Sequence, residues 1–291
     1  MATLMERLAT GRVMVSDGAT WTYLQQNGLE SWQCAEEFNV TNGPVVQGMA
    51  AAYLDAGAEM VLTNTFGGNR YSLGKYGFGD RVAEFNREAA QHARSQAGAG
   101  RYVVGSVGPL GEFPLPLGRV HPDEMRDAYA EQVVALAEGG VDAVLFETLR
   151  VVQEAEIAIA AAKEHTDLPI MASMVFDRGD DGFITIMGLS PAEAMERLQQ
   201  AGADVVGANC GNGVEDMVAV AREIRSASSA YTIIHSNAGI PSIRDADIVY
   251  PESPEYMAPH FAELARMGVS IVGGCCGTGP EHIRALTAAL R

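Results

Sequence analysis

Three of the four cysteines in this 291-residue chain directly follow apolar, β-branched runs. Cys210 ends the run DVVGANC, and the adjacent Cys275 and Cys276 end the run VSIVGGCC. If both runs are strands whose carboxyl ends meet, three thiolates converge on one tetrahedral metal ion and leave its fourth position open, as in catalytic zinc sites. The alternative is that Cys210 is a small buried apolar residue and the pair is incidental. Two glycines directly before the pair favour the metal site.

Two carboxylates end other apolar runs and indicate what such a metal would activate. Asp17 ends VMVSD, and Glu147 lies in AVLFET. A metal held by three thiolates is a poor Lewis acid, yet it binds and deprotonates an incoming thiol. The two carboxylates suit an ammonium group, and the backbone N–H groups of Gly18 and Ala19 suit a carboxylate. We therefore predict an amino acid that carries a thiol, although Asp17 alone is equally typical of a turn or helix cap.

Eight short apolar runs predict the strands that position these residues. Most runs are continuously apolar in the middle, which is typical of parallel strands covered on both faces. The stretches between them have helical spacing and are long enough to cross back over a sheet, as at 123–138, 151–165, 191–200 and 215–226. The pattern predicts an α/β protein, a (β/α)8 TIM barrel with its active site at the carboxyl ends of the strands. The predicted strands are 13–18, 59–66, 102–109, 143–148, 169–176, 204–210, 232–239 and 269–276.

A repeated join supports the alternation of helix and strand. The segments DAGAEMVL, EGGVDAVL, QAGADVVG and RMGVSIVG each place a glycine before a polar residue and an apolar run. Glycine suits the left-handed residue that ends a helix, and the apolar run then enters a strand. Such joins also occur in open α/β sheets, so the count of eight strands is what favours the barrel. No linker-like segment divides the chain, and we predict one domain over residues 1–291.

Composition excludes several classes of function. Lys and Arg number 20 against 37 Asp and Glu, and the formal net charge of −17 repels a nucleic acid backbone. No apolar run approaches the roughly 18–20 residues that span a bilayer, and the first residues lack the pattern of a signal peptide. We therefore predict a cytoplasmic protein with no nucleic acid or membrane partner. The remaining cysteine, Cys34, ends no strand and is predicted to be an unreactive thiol.

Taken together, these motifs resemble those of the zinc-dependent homocysteine S-methyltransferases, and most closely the homocysteine-binding barrel of cobalamin-dependent methionine synthase. The resemblance covers nearly the whole chain, and the GGCCG segment with the upstream NCG corresponds to the family's zinc site. The matching segments are DGAT, EEFNVTNG, LTNTFGGNR, VGPLGEFPLPLG, FETL, GANCGNG, NAGIP and VGGCCGTGPEH.

The resemblance implies a role for each candidate residue. Zn²⁺ would be held by Cys210, Cys275 and Cys276, which form the catalytic centre. Homocysteine would be bound through its amino group by Asp17 and Glu147, and through its carboxylate by the backbone around Gly18 and Ala19, with Thr65 nearby. The zinc-bound thiolate would then attack an activated methyl group and give methionine, with no general base required.

The resemblance leaves the methyl donor open. We expect no folate or cobalamin domain after Arg291, and we therefore expect the donor to be a small molecule or methylcobalamin on a separate corrinoid protein. An alternative function is a corrinoid-linked methyltransferase or demethylase component that acts on another thiol or donor. A zinc-storage or scaffold barrel is a third, which the retained carboxylates and cysteines disfavour. The apolar Val175 and segment 186–191 replace positions that are polar in methionine-synthase-like relatives, and this departure predicts a changed thiol or donor preference.

Overall fold

The computed structural model describes residues 2–180, 182–244 and 247–290, so the terminal Met1 and Arg291 of the predicted domain lie outside the described residues. Eight parallel strands form one curled sheet with helices between them, which confirms the predicted (β/α)8 TIM barrel. Each predicted strand is present, and seven of the eight end between one and four residues earlier than predicted. The strands are β1 Met14–Val15, β2 Met60–Leu62, β3 Tyr102–Val107, β4 Ala143–Leu149, β5 Ile170–Met174, β6 Val205–Asn209, β7 Tyr231–Ser236 and β8 Ile271–Gly274.

The helices lie where apolar residues recur with helical spacing. The four helices predicted above are confirmed to within one residue at each end. Gly57 and Gly202 have φ of 111° and 107° at helix ends, where they turn the chain towards β2 and β6 as predicted. The helices are α1 Leu4–Leu8, α2 Thr20–Gln26, α3 Phe38–Thr41, α4 Gly43–Ala56, α5 Arg70–Gly74, α6 Val82–Gln96, α7 Pro122–Glu138, α8 Val152–His165, α9 Pro191–Ala201, α10 Val214–Ala227, α11 Pro254–Arg266 and α12 Pro280–Ala289, with a 3-10 turn at Ala35–Glu37.

The barrel closes between β1 and β2, which are the first and last strands of the sheet when the strands are taken in their spatial order. The Glu59 N–H donates to the carbonyl oxygen of Val15 at 2.8 Å. Further along the seam, the Leu62 N–H donates to Asp17 Oδ2 at 2.6 Å. The Asp17 side chain therefore takes the place of a backbone acceptor and links the two strands.

Apolar side chains fill the barrel from its amino-terminal end. Leu4 and Leu8 of α1 pack with Met14, Met60 and Ile271 inside the barrel. A larger apolar cluster lies between the sheet and the surrounding helices. The short α1 thus covers one end of the barrel, and the open cavity lies at the carboxyl ends of the strands.

Two short antiparallel hairpins, which the sequence pattern did not predict, extend the loops after β5 and β7. One pairs Asp177–Gly179 with Gly182–Ile184, and the other pairs Ser242–Arg244 with Asp247–Val249. Their three-residue strands mix polar and apolar residues and lack the continuous apolar run that marks a barrel strand. Within the described ranges, no helix combines the length and apolar character required to cross a membrane.

Candidate metal and substrate site

A cavity of about 440 Å³ opens at the carboxyl ends of the barrel strands. This volume lies within the range of sites that bind small molecules. The barrel brings most of the predicted site residues to this one cavity. Six of the eight line its wall, namely Gly18, Ala19, Glu147, Cys210, Cys275 and Cys276.

The three strand-end thiols form one cluster, as predicted. Their sulfur atoms all lie within 4.8 Å of one another, and the Sγ atoms of Cys210 and Cys276 are 4.0 Å apart. All three cysteines are half-buried. Hydrogen bonds from Cys275 and Cys276 lower the pKa of the Cys210 thiol, because neighbouring S–H groups stabilise its thiolate. The cluster therefore favours a deprotonated sulfur at the cavity wall.

The surroundings of the cluster fit a zinc ion. Three thiols at this separation form the ligand set of an open tetrahedral site. Asn237 lies beside Cys210, where it helps to lower the pKa of that thiol, and its buried Oδ1 atom has no hydrogen-bond partner in the described parts of the chain. Tyr250 lies beside Cys276 and lines the same cavity. The site thus offers three sulfur ligands and an unsatisfied amide oxygen beside them.

Glu147 presents a buried carboxylate to the same cavity. It is 7% exposed, its Oε1 accepts a hydrogen bond from Ser106 Oγ at 2.5 Å, and its Oε2 lies 3.4 Å from Asn209 Nδ2. Burial, together with the negative charge of the nearby Asp17, raises the pKa of Glu147 to about 7. A cationic group entering the cavity would offset this desolvation, so Glu147 is suited to bind an ammonium group.

Two predicted substrate contacts, Asp17 and Thr65, lie behind the cavity wall. Asp17 is 1% exposed and accepts hydrogen bonds from Ser16 and Leu62, and burial raises its pKa to about 7. Thr65 is fully buried, and its hydroxyl donates to the Ser106 carbonyl oxygen at 2.7 Å. Both side chains support the wall in this structure, and Asp17 acts on the cavity through its charge.

The two predicted backbone donors differ in availability. The Ala19 N–H donates to the Thr278 carbonyl oxygen at 3.0 Å. The Gly18 N–H has no acceptor among the described residues. Gly18 is therefore the better placed of the two to receive a substrate carboxylate.

Glu36 is a cavity residue to which the sequence analysis gave no role. Its buried carboxylate accepts the Gly67 N–H at 2.6 Å and the Cys34 thiol at 3.3 Å. Burial raises the pKa of Cys34 to about 12, which keeps that thiol protonated and agrees with its predicted lack of reactivity. The signal in the sequence was the acidic pair in EEFN, which also suits a solvated surface.

The apolar departure after β5 lies outside the cavity wall. Val175 is 2% exposed and packs against the loop at Gly211. Leu189 packs against the outer core, and Ile186 and Met187 are exposed. None of these four residues lines the cavity, so they provide no direct contact that would change the preferred thiol.

Fold and site together define a (β/α)8 barrel with a three-thiol centre at the ends of β6 and β8. The family model described as homocysteine S-methyltransferase matches residues 14–290. The chain therefore belongs to the homocysteine S-methyltransferase family.

Individual relatives agree with this assignment. The chain is 33% identical to methionine synthase of Mycobacterium leprae over an alignment of 307 positions, and 33% identical to that of Mycobacterium tuberculosis over an alignment of 299 positions. The matches cover 99% and 96% of this chain but 25% of each relative, so the chain spans about a quarter of their length. The metallated homocysteine methyltransferase MmuM from Escherichia coli shares the fold, with a TM-score of 0.81 at 20% identity over 98% of this chain and 99% of that one.

Proposed function

We propose that this chain transfers a methyl group from an external donor to the thiol of homocysteine and releases methionine. The observation that carries the proposal is the presence of the three-thiol cluster and the Glu147 carboxylate in one cavity. The first suits a metal that binds a thiol, and the second suits an ammonium group. Family membership supports the same reaction.

The chain's own residues would bind and orient the substrate. Cys210, Cys275 and Cys276 would hold zinc, which when bound supplies a substrate sulfur in its thiolate form at neutral pH. Glu147 would accept the ammonium group, with Asp17 adding negative charge behind it. The Gly18 N–H would donate to the substrate carboxylate. These contacts would fix the amino acid end of homocysteine while its sulfur faces the methyl donor.

The methyl transfer itself needs little proton chemistry from the protein. A sulfur–carbon bond forms as the bond between the methyl carbon and the donor breaks, and the electron pair leaves with the donor. Because the attacking sulfur is already deprotonated, no general base is required.

The donor defines two versions of the proposal. In one, a small methylated compound enters the cavity. In the other, a separate corrinoid protein presents methylcobalamin. We also propose a cytoplasmic location, since reducing conditions keep three adjacent thiols available for metal.

Calorimetry with the zinc-loaded protein tests the substrate assignment. We expect homocysteine to bind at least about tenfold more tightly than 4-mercaptobutyrate, which lacks the amino group, because a charge-assisted hydrogen bond contributes about 1.5–3 kcal/mol. Equal affinity for the two thiols, or binding of neither, would contradict the proposed substrate.

A further inference from the structure

Asn209, the residue before the first cysteine of the cluster, connects the two halves of the site. It is 1% exposed and ends β6. Its Nδ2 atom lies 3.4 Å from Glu147 Oε2 and 3.9 Å from Cys275 Sγ. One side-chain amide thus contacts both the carboxylate proposed to bind the ammonium group and a thiol proposed to bind the metal.

The same amide holds an unfavourable backbone conformation next to Glu147. Thr148 has φ of 60°, which is uncommon for a β-branched residue. The Thr148 N–H donates to Asn209 Oδ1 at 2.8 Å, and Asn209 Nδ2 donates to Thr148 Oγ1 at 2.8 Å. These two hydrogen bonds stabilise a conformation that Thr148 would otherwise avoid.

The local irregularity in β4 determines where Glu147 lies. The register between β4 and β5 shifts between Phe146 and Leu149, as in a β-bulge. Bulges next to active sites redirect a side chain. The Asn209 amide is itself fixed, because Ser173 Oγ donates to its Oδ1 atom at 2.6 Å. The position of Glu147 therefore depends on an amide that is itself anchored by residues of two neighbouring strands, Thr148 of β4 and Ser173 of β5.

We propose that Asn209 is a positioning residue that sets the location of the Glu147 carboxylate relative to the thiol cluster, and so selects the length of the thiol amino acid that fits between them. This inference rests on the proposed function. The preference for homocysteine over cysteine, which is one methylene shorter, would then depend on an amide that contacts neither end of the substrate. Loss of the amide leaves the Glu147 carboxylate held, within the described part of the chain, only at Oε1 by Ser106, and relaxes the preference.

Two variants of Asn209 distinguish a role in positioning Glu147 from a role in packing alone. Asn209→Asp keeps the size of the side chain and can still accept from Thr148 and Ser173, but in its ionised form it cannot donate to Glu147 or Cys275. Asn209→Ser removes the amide without adding charge. The matched control is Asn39→Asp, since Asn39 is equally buried and donates to the Asn64 and Phe85 carbonyl oxygens, away from Glu147 and the cluster.

The readout is the ratio of homocysteine to cysteine affinity in zinc-loaded protein, measured by calorimetry alongside zinc content. We expect both Asn209 variants to retain zinc and to lower this ratio at least about tenfold, and Asn39→Asp to change it less than about twofold. A ratio unchanged in both Asn209 variants would overturn the inference.

A second measurement applies if the wild-type protein binds neither amino acid, a result that would refute the proposed function. Urea unfolding of Asn209→Ser, Glu147→Gln and the double variant then tests the link between the two side chains directly. A non-additive loss of stability supports the positioning role. Additive losses would overturn it.

Discussion

Replacing Cys275 by alanine is expected to remove zinc from the protein and abolish methyl transfer. Cys275 is one of three thiols within 4.8 Å of one another, and two remaining sulfurs do not complete the ligand set of a catalytic zinc site. Since loss of a residue that only orients a ligand weakens metal binding by about 10–100-fold, loss of a ligand should cost about 100-fold or more. Metal analysis after dialysis measures this directly.

Cys34→Ala is the matched control for the cysteine substitution. Cys34 is 2% exposed, packs with Leu73 and Phe85, and lies outside the cluster. Its variant should retain one zinc per chain and wild-type activity, even if removal of a buried thiol lowers stability. Equal zinc content in the Cys275 and Cys34 variants would refute the metal site.

Glu147→Gln is expected to weaken homocysteine binding while zinc remains bound. The substitution keeps the size of the side chain and removes the charge that faces the proposed ammonium group. Loss of such a contact should cost about 1.5–3 kcal/mol, or about 10–150-fold in the dissociation constant. Calorimetry on zinc-loaded protein measures the dissociation constant of homocysteine, from which the free-energy cost follows. An unchanged homocysteine affinity would show that the ammonium group binds elsewhere.

The pH dependence of stability shows whether this variant is folded and whether Glu147 is desolvated. Burial raises the pKa of Glu147 from 4.5 to about 7, so the folded metal-free protein binds its proton more tightly than the unfolded chain. The resulting stabilisation is present below about pH 4.5 and is lost as the pH rises through about 7. Urea unfolding should therefore show a shallower decline in stability over this range for Glu147→Gln. The exposed Glu164→Gln should follow the wild type, and a Glu147→Gln curve that also does so would contradict the desolvation.

The regular part of the fold was predictable because its signals are local and repeated. Buried parallel strands are continuously apolar, and left-handed glycines such as Gly57 end the preceding helices. The two hairpins were missed because their three-residue strands have neither signal. The contact that closes the barrel between β1 and β2 was missed for a different reason. The hydrogen bond from the Leu62 N–H to the Asp17 side chain joins residues 45 positions apart.

The site was predictable only in part, because the barrel itself positions some of its residues and individual side-chain contacts position the others. Strand ends converge in any barrel of this kind, so the sequence was sufficient to bring the three cysteines and Glu147 together. The roles of Ser106 and Asn209 depend on side-chain directions at β3 and β6 that no spacing rule determines. Asn209 carried one signal, a polar residue at the buried end of an apolar run, but this also fits an ordinary strand terminus.

The most direct test of the account is the formation of labelled methionine by the zinc-loaded protein. Homocysteine would be supplied with a donor carrying a ¹³C-methyl group, in one arm a small sulfonium compound and in the other a methylated corrinoid protein, with detection by mass spectrometry. We predict labelled methionine in at least one arm from the wild-type protein, and none from Cys275→Ala. Absence of labelled methionine in both arms, or equal amounts from the wild type and Cys275→Ala, would contradict methyl transfer at the three-thiol centre.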